Sequence, residues 1–551
     1  VSAARFLNAL AQTAGSTRVI TAQSALEAMT HNTLGLQRTV LAAVYPRTVA
    51  EVQGVVKAAI ACGTPLYAFS RGFNWGYGSR LPAADGCVLV DLQSMSAIVN
   101  AREIAAGDPV ALLEPGVTQG QLADFLREHA QGFTFNVTGS APQTSIIGNA
   151  LERGFGYLGP RSEDLFGLQV VLGTGEIVHT DFAGWTRSPL ASTQNVSHGP
   201  SLTGLFLQSS FGIVTQGHLR LRRRAELEGA LIIRAAGEAS IGPLVERLAG
   251  LREAHVLHGV PHIANGTRAA ASLTLGCYEY FRAAGHRDPL QAARAALSAA
   301  SFPPWSGVCA LSGPRRLVRA TVKEVAQTLR GLAGVRFVTA GDLRRALAMA
   351  RLAGRFTTWG ARQAAILSAL QPLHGLACGQ PTDVPVRNLA LMAGRPDLPA
   401  VELDRSDVGL IFSSPVLPPT RGAVEKVLRI VDEEFRRFRL TPYITLNIEK
   451  PRTAVAVVNS VFRKSDPAET ERAQTCAHML HRRLQHEGYA LYRAGVDTMA
   501  ELVGHNASPW VTVGRIKEVL DPHHIISPGR YAPEAASTQK KAEGRALGSR
   551  R

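Results

Sequence analysis

Pro65-Leu66-Tyr67-Ala68-Phe69-Ser70-Arg71-Gly72-Phe73-Asn74-Trp75-Gly76-Tyr77-Gly78 is the stretch on which the fold of this chain turns. Its first five residues read as a short strand, and the other nine form a loop with three glycines. Upstream, 39–44 is β-branched and apolar, Pro46 punctuates, and Val52, Val55, Val56 and Ala59 recur at helical spacing. Downstream, 87–92 is another apolar run. Strand, helix, strand, glycine loop and strand together predict an α/β unit. A glycine loop directly after a strand can turn successive backbone N–H groups toward an anion, because glycine tolerates φ > 0. The spacing is GxxxGxG, neither a GxGxxG fingerprint nor a Walker A loop, so taken alone it reads equally well as a structural turn.

Farther out, 110–114 reads as a strand, and Thr118 is placed to cap a helix over 121–129. The segments 168–172 and 177–180 flank Gly173-Thr174-Gly175-Glu176 as a β-hairpin. Residues 202–210 read as helical and 213–221 as an exposed or edge strand. From about 225 to 496 the pattern predicts a second α/β unit, with helices near 243–255, 287–299, 316–331 and 420–438 between strands such as 335–339 and 408–413. Residues 1–35 show no clear core.

Composition narrows the class. With 551 residues, 46% hydrophobic and 19% charged, the chain is too apolar for intrinsic disorder and long enough for several domains. No uninterrupted apolar run reaches membrane-spanning length, and the N-terminus makes a poor signal peptide. Cys62, Cys87, Cys277, Cys309, Cys378 and Cys476 are scattered, with neither a disulfide framework nor zinc spacing. A cytoplasmic protein without a metal is expected. The net charge of +16 comes with only 6% aromatics and no nucleic-acid recognition motif, so it reads as solvated faces that favour encounter with anions.

The loop and an ordered set of further motifs resemble the vanillyl-alcohol oxidase / 4-cresol dehydrogenase family. The set is Leu113-Glu114-Pro115-Gly116-Val117-Thr118, Gly148-Asn149-Ala150-Leu151-Glu152-Arg153-Gly154-Phe155-Gly156-Tyr157, Gly212-Ile213-Val214-Thr215, Leu491-Tyr492-Arg493 and Ile525-Ile526-Ser527-Pro528-Gly529. Similarity is good over 39–221 and 408–533 and weak between them. The resemblance implies an α+β fold: a two-part FAD-binding domain of the p-cresol methylhydroxylase type, interrupted by an α/β substrate-cap domain. The expected division is 1–224 and 496–533 for the FAD-binding domain, 225–495 for the cap, and 534–551 for a basic, disordered tail.

The resemblance also implies roles for particular residues. Ser70, Arg71, Gly72, Phe73, Asn74, Trp75, Gly76, Tyr77 and Gly78 would cradle the FAD pyrophosphate. Gly148, Asn149, Gly154 and Tyr157 would lie along the flavin, Gly212, Ile213 and Val214 would pack on the ADP half, and Arg530 would close over the cofactor. Tyr77, Tyr492 and Arg493 match the family's phenol cradle. A guanidinium and two phenolic donors would favour phenolate over phenol, and phenolate would release a benzylic hydride to the flavin, leaving a quinone methide.

Two departures stand out. The strand 452–458 has no His or Tyr to tether the flavin, so FAD is expected to be non-covalent. The segment that carries the family's acid is about two residues short, leaving Glu163 or Asp164 as the candidates, each also readable as an ordinary loop residue. His31 reads as a surface residue or as a histidine supporting the site. The expected substrate is a small phenol, with an anionic one suited to the basic surface. If a carboxylate sits on the carbon next to the oxidised one, the quinone methide loses CO₂ and leaves an alkene, which requires no acid to handle water. The alternative is oxidation of a non-phenolic alcohol, such as a sugar or hydroxy acid, on the same fold. Many members of the family are homodimers.

Overall fold

Three parallel strands set the position of the glycine loop. The computed structural model describes residues 3–185, 189–192, 196–300, 302–505 and 507–532; the expected tail at 534–551 lies outside them. Val40–Val44 and Leu66–Phe69 flank Cys87–Asp91 in parallel register, and Val19–Ile20 adds an antiparallel edge. Every residue of Cys87–Asp91 is buried, as a central strand covered on both faces requires. The helix Val49–Cys62 makes the crossover. Thr48 Oγ1 accepts the Glu51 N–H at its start, and Gly63, at φ 61°, ends it in a left-handed conformation. Its buried Val52, Val55, Val56 and Ala59 pack on Val88 and Val90. The N-terminal region has more core than its sequence shows: Phe6, Leu10 and Ala14 of the helix Ala3–Ala14 join the same cluster at helical spacing.

A second sheet carries the flanking motifs. It runs Ile177–His179, Leu165–Leu172, Gly212–Arg220, Val110–Leu113, all antiparallel. The hairpin around Gly173–Glu176 forms as expected. Gly212–Arg220 is not an edge strand, because it pairs on both sides. Ile213 packs into one core layer and Val214 into the other. The segment 202–210 holds only the short 3₁₀ turn Thr203–Phe206.

The middle of the chain builds a nine-stranded sheet in which every pairing is antiparallel. The expected helices appear as Ile241–Glu253, Pro289–Ala299, Arg315–Thr328 and Arg421–Arg437. In the strand Tyr443–Lys450, Ile444, Leu446 and Ile448 face the helix-covered core. By strand alternation Asn447 takes the opposite face, and Glu449 stands at a bulge in the pairing between Ile448 and Lys450. The chain then returns: the helix Ala507–Leu520 is followed by a bridge that pairs Ile526 with Leu66.

Candidate active site

The loop 70–78 leaves the strand Leu66–Phe69 with Gly72, Gly76 and Gly78 at φ 70°, 76° and 116°. Those conformations are needed for close contact. A Cβ on Gly76 would lie 2.2 Å from Phe412 Cδ2, and one on Gly78 would lie 2.6 Å from Val496 Cγ2. The loop is clamped from three directions. Thr33 Oγ1 accepts the Gly76 N–H at 2.8 Å, the Phe412 N–H reaches the Gly76 carbonyl at 3.3 Å, and the Val496 N–H reaches that of Tyr77 at 3.0 Å. The N–H groups of residues 71–75 have no partner among the described residues. A run of unpaired donors on a curved backbone is an anion-binding concavity.

Gly148 brings the second motif against the first, since a Cβ there would sit 2.9 Å from Ser70 Oγ. Ser145 Oγ caps the short helix Ile146–Leu151 by accepting the Gly148 N–H. Beyond it, Arg153 is held at φ 53°, rarely adopted by a residue with a side chain. Arg161, 1% exposed, donates to Asn149 Oδ1 at 3.2 Å, while its Nε and Nη2 have no partner among the described residues. Burial lowers its pKa to about 10. The Nε atoms of Arg80 and Arg493 are likewise buried and unpartnered. All these orphaned groups are donors. Unpaired donors beside a glycine loop fit an acceptor-rich, anionic group, and FAD, with its pyrophosphate and the nitrogens and carbonyls of its ring, is such a group.

Tyr77 and Arg493 come together: the Arg493 guanidinium carbon stands 4.3 Å above the Tyr77 ring centroid. Tyr77 stacks on Phe412, and its hydroxyl lies 3.1 Å from Ser414 Oγ. Arg493 Nη2 donates to Asn74 Oδ1 at 2.6 Å and to Glu152 Oε2 at 3.5 Å. Arg530 pairs with the same Glu152 and donates to the Ser209 carbonyl at 3.1 Å. Tyr492 is buried beside them, but its hydroxyl points at the nine-stranded sheet and donates to Glu449 Oε1 at 2.9 Å. The Arg153 guanidinium sits 4.6 Å over the Tyr492 ring, and Phe155 meets it edge-on at 5.7 Å. Burial and the neighbouring Glu449 raise the Tyr492 pKa well above that of an ordinary phenol.

The two acid candidates are elsewhere engaged. Glu163 is exposed and pairs with Lys450 at 2.5 Å. Asp164 is buried, accepting from Arg222 Nη2 at 3.1 Å and from Asn136 Nδ2 at 3.3 Å; burial raises its pKa against the pull of those partners. Tyr157 lies 4.4 Å from the His262 ring, and burial pushes its hydroxyl up to about 12. His31 is exposed, and Thr33, two residues on, is the one that touches the loop. Sequence reasoning missed Thr33, Asn74 as an Arg493 partner, Arg161 and Glu449.

A family model for the FAD binding domain matches residues 40–181. The chain is 30% identical to a 1'-carboxy-chondrochloren decarboxylase of Chondromyces crocatus, over 96% of this chain and 97% of that one. It is 28% identical to the flavoprotein subunit of 4-cresol dehydrogenase (hydroxylating) of Pseudomonas putida, covering 89% and 87%. Its fold matches that of a 4-ethylphenol oxidase from Gulosibacter chungangensis, solved with isoeugenol, at a TM-score of 0.81 and 23% identity, over 98% and 99% of the chains. It also matches substrate-bound p-cresol methylhydroxylase at a TM-score of 0.78 and 23% identity, over 96% and 97%. Fold and sequence together define an FAD-dependent oxidoreductase. The chain belongs to the vanillyl-alcohol oxidase / 4-cresol dehydrogenase family of FAD-linked oxidases. No helix among the described residues is long and apolar enough to cross a membrane.

Proposed function

We propose that this enzyme oxidises a para-substituted phenol at its benzylic carbon, and that the physiological substrate carries a carboxylate on the next carbon and loses it as CO₂. Bound FAD supplies the two-electron acceptor; everything else falls to the protein. Residues 71–75 would hold the pyrophosphate on their N–H groups, and the turn from Gly148 to Tyr157 would line the ring. The supporting strand Thr453–Arg463 has no His or Tyr, in keeping with a non-covalent cofactor. In this reading 1–224 and 496–533 hold the cofactor, and 225–495 shapes the substrate pocket.

The observation that carries the reading is the Arg493–Tyr77 stack, 4.3 Å apart, with Tyr492 the adjacent residue. A guanidinium fixed among aromatic faces favours a phenolate at its edge, where the fixed charge costs no reorganisation as the reaction proceeds. Electron density from the phenolate oxygen then expels the benzylic hydride, leaving a quinone methide. If a carboxylate is attached to the adjacent carbon, the C–CO₂ bond pair forms the alkene, the ring regains aromaticity as phenolate, and CO₂ leaves. Decarboxylation is favoured over hydration because the two acids expected to handle water, Glu163 and Asp164, are already paired. The full-length decarboxylase relative points the same way.

Anaerobic mixing with a para-alkylphenol should bleach the flavin, and the methyl ether of that phenol should leave it oxidised. Equal bleaching by the ether would transfer the assignment to a non-phenolic alcohol. An acid such as an N-acyl-tyrosine should give one CO₂ per flavin reduced.

A further inference from the structure

We propose that Glu449 is the proton acceptor for the substrate's phenol and that Tyr492 relays the proton to it. The inference rests on the phenol reading of the site and adds to it the destination of the proton.

Tyr492 has a single hydroxyl proton, and that proton is committed to Glu449 Oε1 at 2.9 Å. An ionised carboxylate only accepts, so the Tyr492 oxygen keeps its lone pairs for a second partner. It therefore accepts from an incoming phenol O–H rather than donating to it. Moving the substrate proton onto Tyr492 Oη as the tyrosine proton moves onto Glu449 Oε1 yields phenolate, neutral tyrosine and a carboxylic acid. One O–H bond breaks and one forms at each step, and the net charge of the site is unchanged. After the transfer, Tyr492 donates to the phenolate and the protonated Glu449 donates to Tyr492. The donor cradle expected from the sequence is thus the state after proton transfer, and the structure shows the state before it.

A structural tie for Tyr492 does not account for Glu449. The residue is 2% exposed and its Oε2 has no partner among the described residues. A buried carboxylate with one oxygen unsatisfied is costly, and an amide or a carbonyl would anchor a tyrosine hydroxyl without that cost. The surroundings suit a group that gains and loses a proton. Burial raises the Glu449 pKa, while the Tyr492 hydrogen bond, Arg153 and Lys450 restrain the rise and Glu163 adds to it. Arg252 donates to the Glu449 carbonyl at 2.9 Å and, beyond Tyr492, Arg493 is placed to hold the phenolate. Negative charge then moves from Glu449 to an oxygen beside a guanidinium.

The test uses FAD-loaded enzyme and para-nitrophenol, which has no benzylic hydrogen and reports its own ionisation by absorbance. Glu449→Gln keeps the side-chain volume and an acceptor for Tyr492, and should retain flavin. Below the free phenol's own pKa, the intact enzyme should bind it as phenolate and release no proton to buffer. Glu449→Gln should bind it neutral, with its apparent pKa raised by about one unit or more. With a para-alkylphenol, flavin reduction in the variant should slow about 10²-fold near neutrality and recover as pH approaches the phenol's pKa, as loss of a general base requires. Tyr492→Phe should give the same profile, and the double variant should be no worse than either single one. If Glu449→Gln binds para-nitrophenol with an unchanged apparent pKa, or loses rate equally at every pH, the relay is wrong while the phenol reading stands. If the intact enzyme neither binds para-nitrophenol nor is bleached by alkylphenols, the phenol reading fails and the relay falls with it.

Discussion

The loop 70–78 and the cap strand Tyr443–Lys450 both reach the Tyr492–Arg493 pair, one through Tyr77 and the other through Glu449. They are built differently. The loop offers backbone N–H groups, and its shape is set by glycines pressed against Phe412 and Val496. The strand offers side chains, Glu449 from a bulge between Ile448 and Lys450, where any residue that fits the face can stand. A backbone cradle therefore admits few substitutions, and in the proposed reading it takes the invariant part of the ligand, the phosphates. A pleated face can be rewritten residue by residue without changing the fold, and suits the variable part, the substrate.

The difference can be broken first at Gly76. Gly76→Ala combines a left-handed conformation with a 2.2 Å clash against Phe412. It should abolish FAD retention, read as flavin absorbance per protein after gel filtration. Full flavin content in that variant would show that the loop is not the cradle. Arg493→Lys should sharpen the contrast from the other side. It keeps charge but loses the planar fork that binds Asn74 and Glu152, so FAD should stay while flavin reduction slows by about 10²–10³-fold. Parallel loss of flavin and rate would mean that Arg493 belongs to the cofactor site instead. The smallest effect is expected at Asp164. Asp164→Asn removes the buried negative charge that faces Arg222, which is itself 41% exposed and partly screened. It should cost about 2 kcal/mol of stability in a denaturant titration and change the rate by less than about threefold. A large rate loss at unchanged stability would restore Asp164 as a catalytic acid.

The same two regions show what could be read from the residues. The loop was legible because glycine spacing after a strand has few physical meanings, and the ordered motifs around it reduce them further. Tyr77 and Arg493 followed from those motifs, and they do meet. Glu449 was illegible for a physical reason. Alternation of Ile444, Leu446 and Ile448 with Thr445, Asn447 and Glu449 reads as a strand with one solvated face. Only the tertiary contact with Tyr492 and the burial of Asn447 and Glu449 show that this polar face is covered. Pairing on both sides, also a non-local fact, makes Gly212–Arg220 an inner strand where an edge was expected. Asp164, a carboxylate at a suggestive position, is buried against Arg222 and Asn136, and the Asp164→Asn variant decides between a holding and a catalytic role.

The hydrogen bond from Arg493 to Asn74 spans 419 positions of the chain, and Lys517, buried beside Asp521, ties the final segment to the carbonyls of Ser210 and Ile526. On the ribosome these contacts are the last to become available. The glycine loop emerges early, yet it waits through the whole cap insertion for Val496, Arg493 and the Ile526 bridge to close around it. Non-local closure of this kind is slow, because loop entropy is lost before the contacts that reward it can form. A nascent chain cut short anywhere before the last turn would thus carry the cofactor motif without the means to keep a cofactor. If the loop is the cofactor cradle, FAD retention is expected to depend on residues more than four hundred positions away, and a chain ending before Arg493 should carry no flavin absorbance.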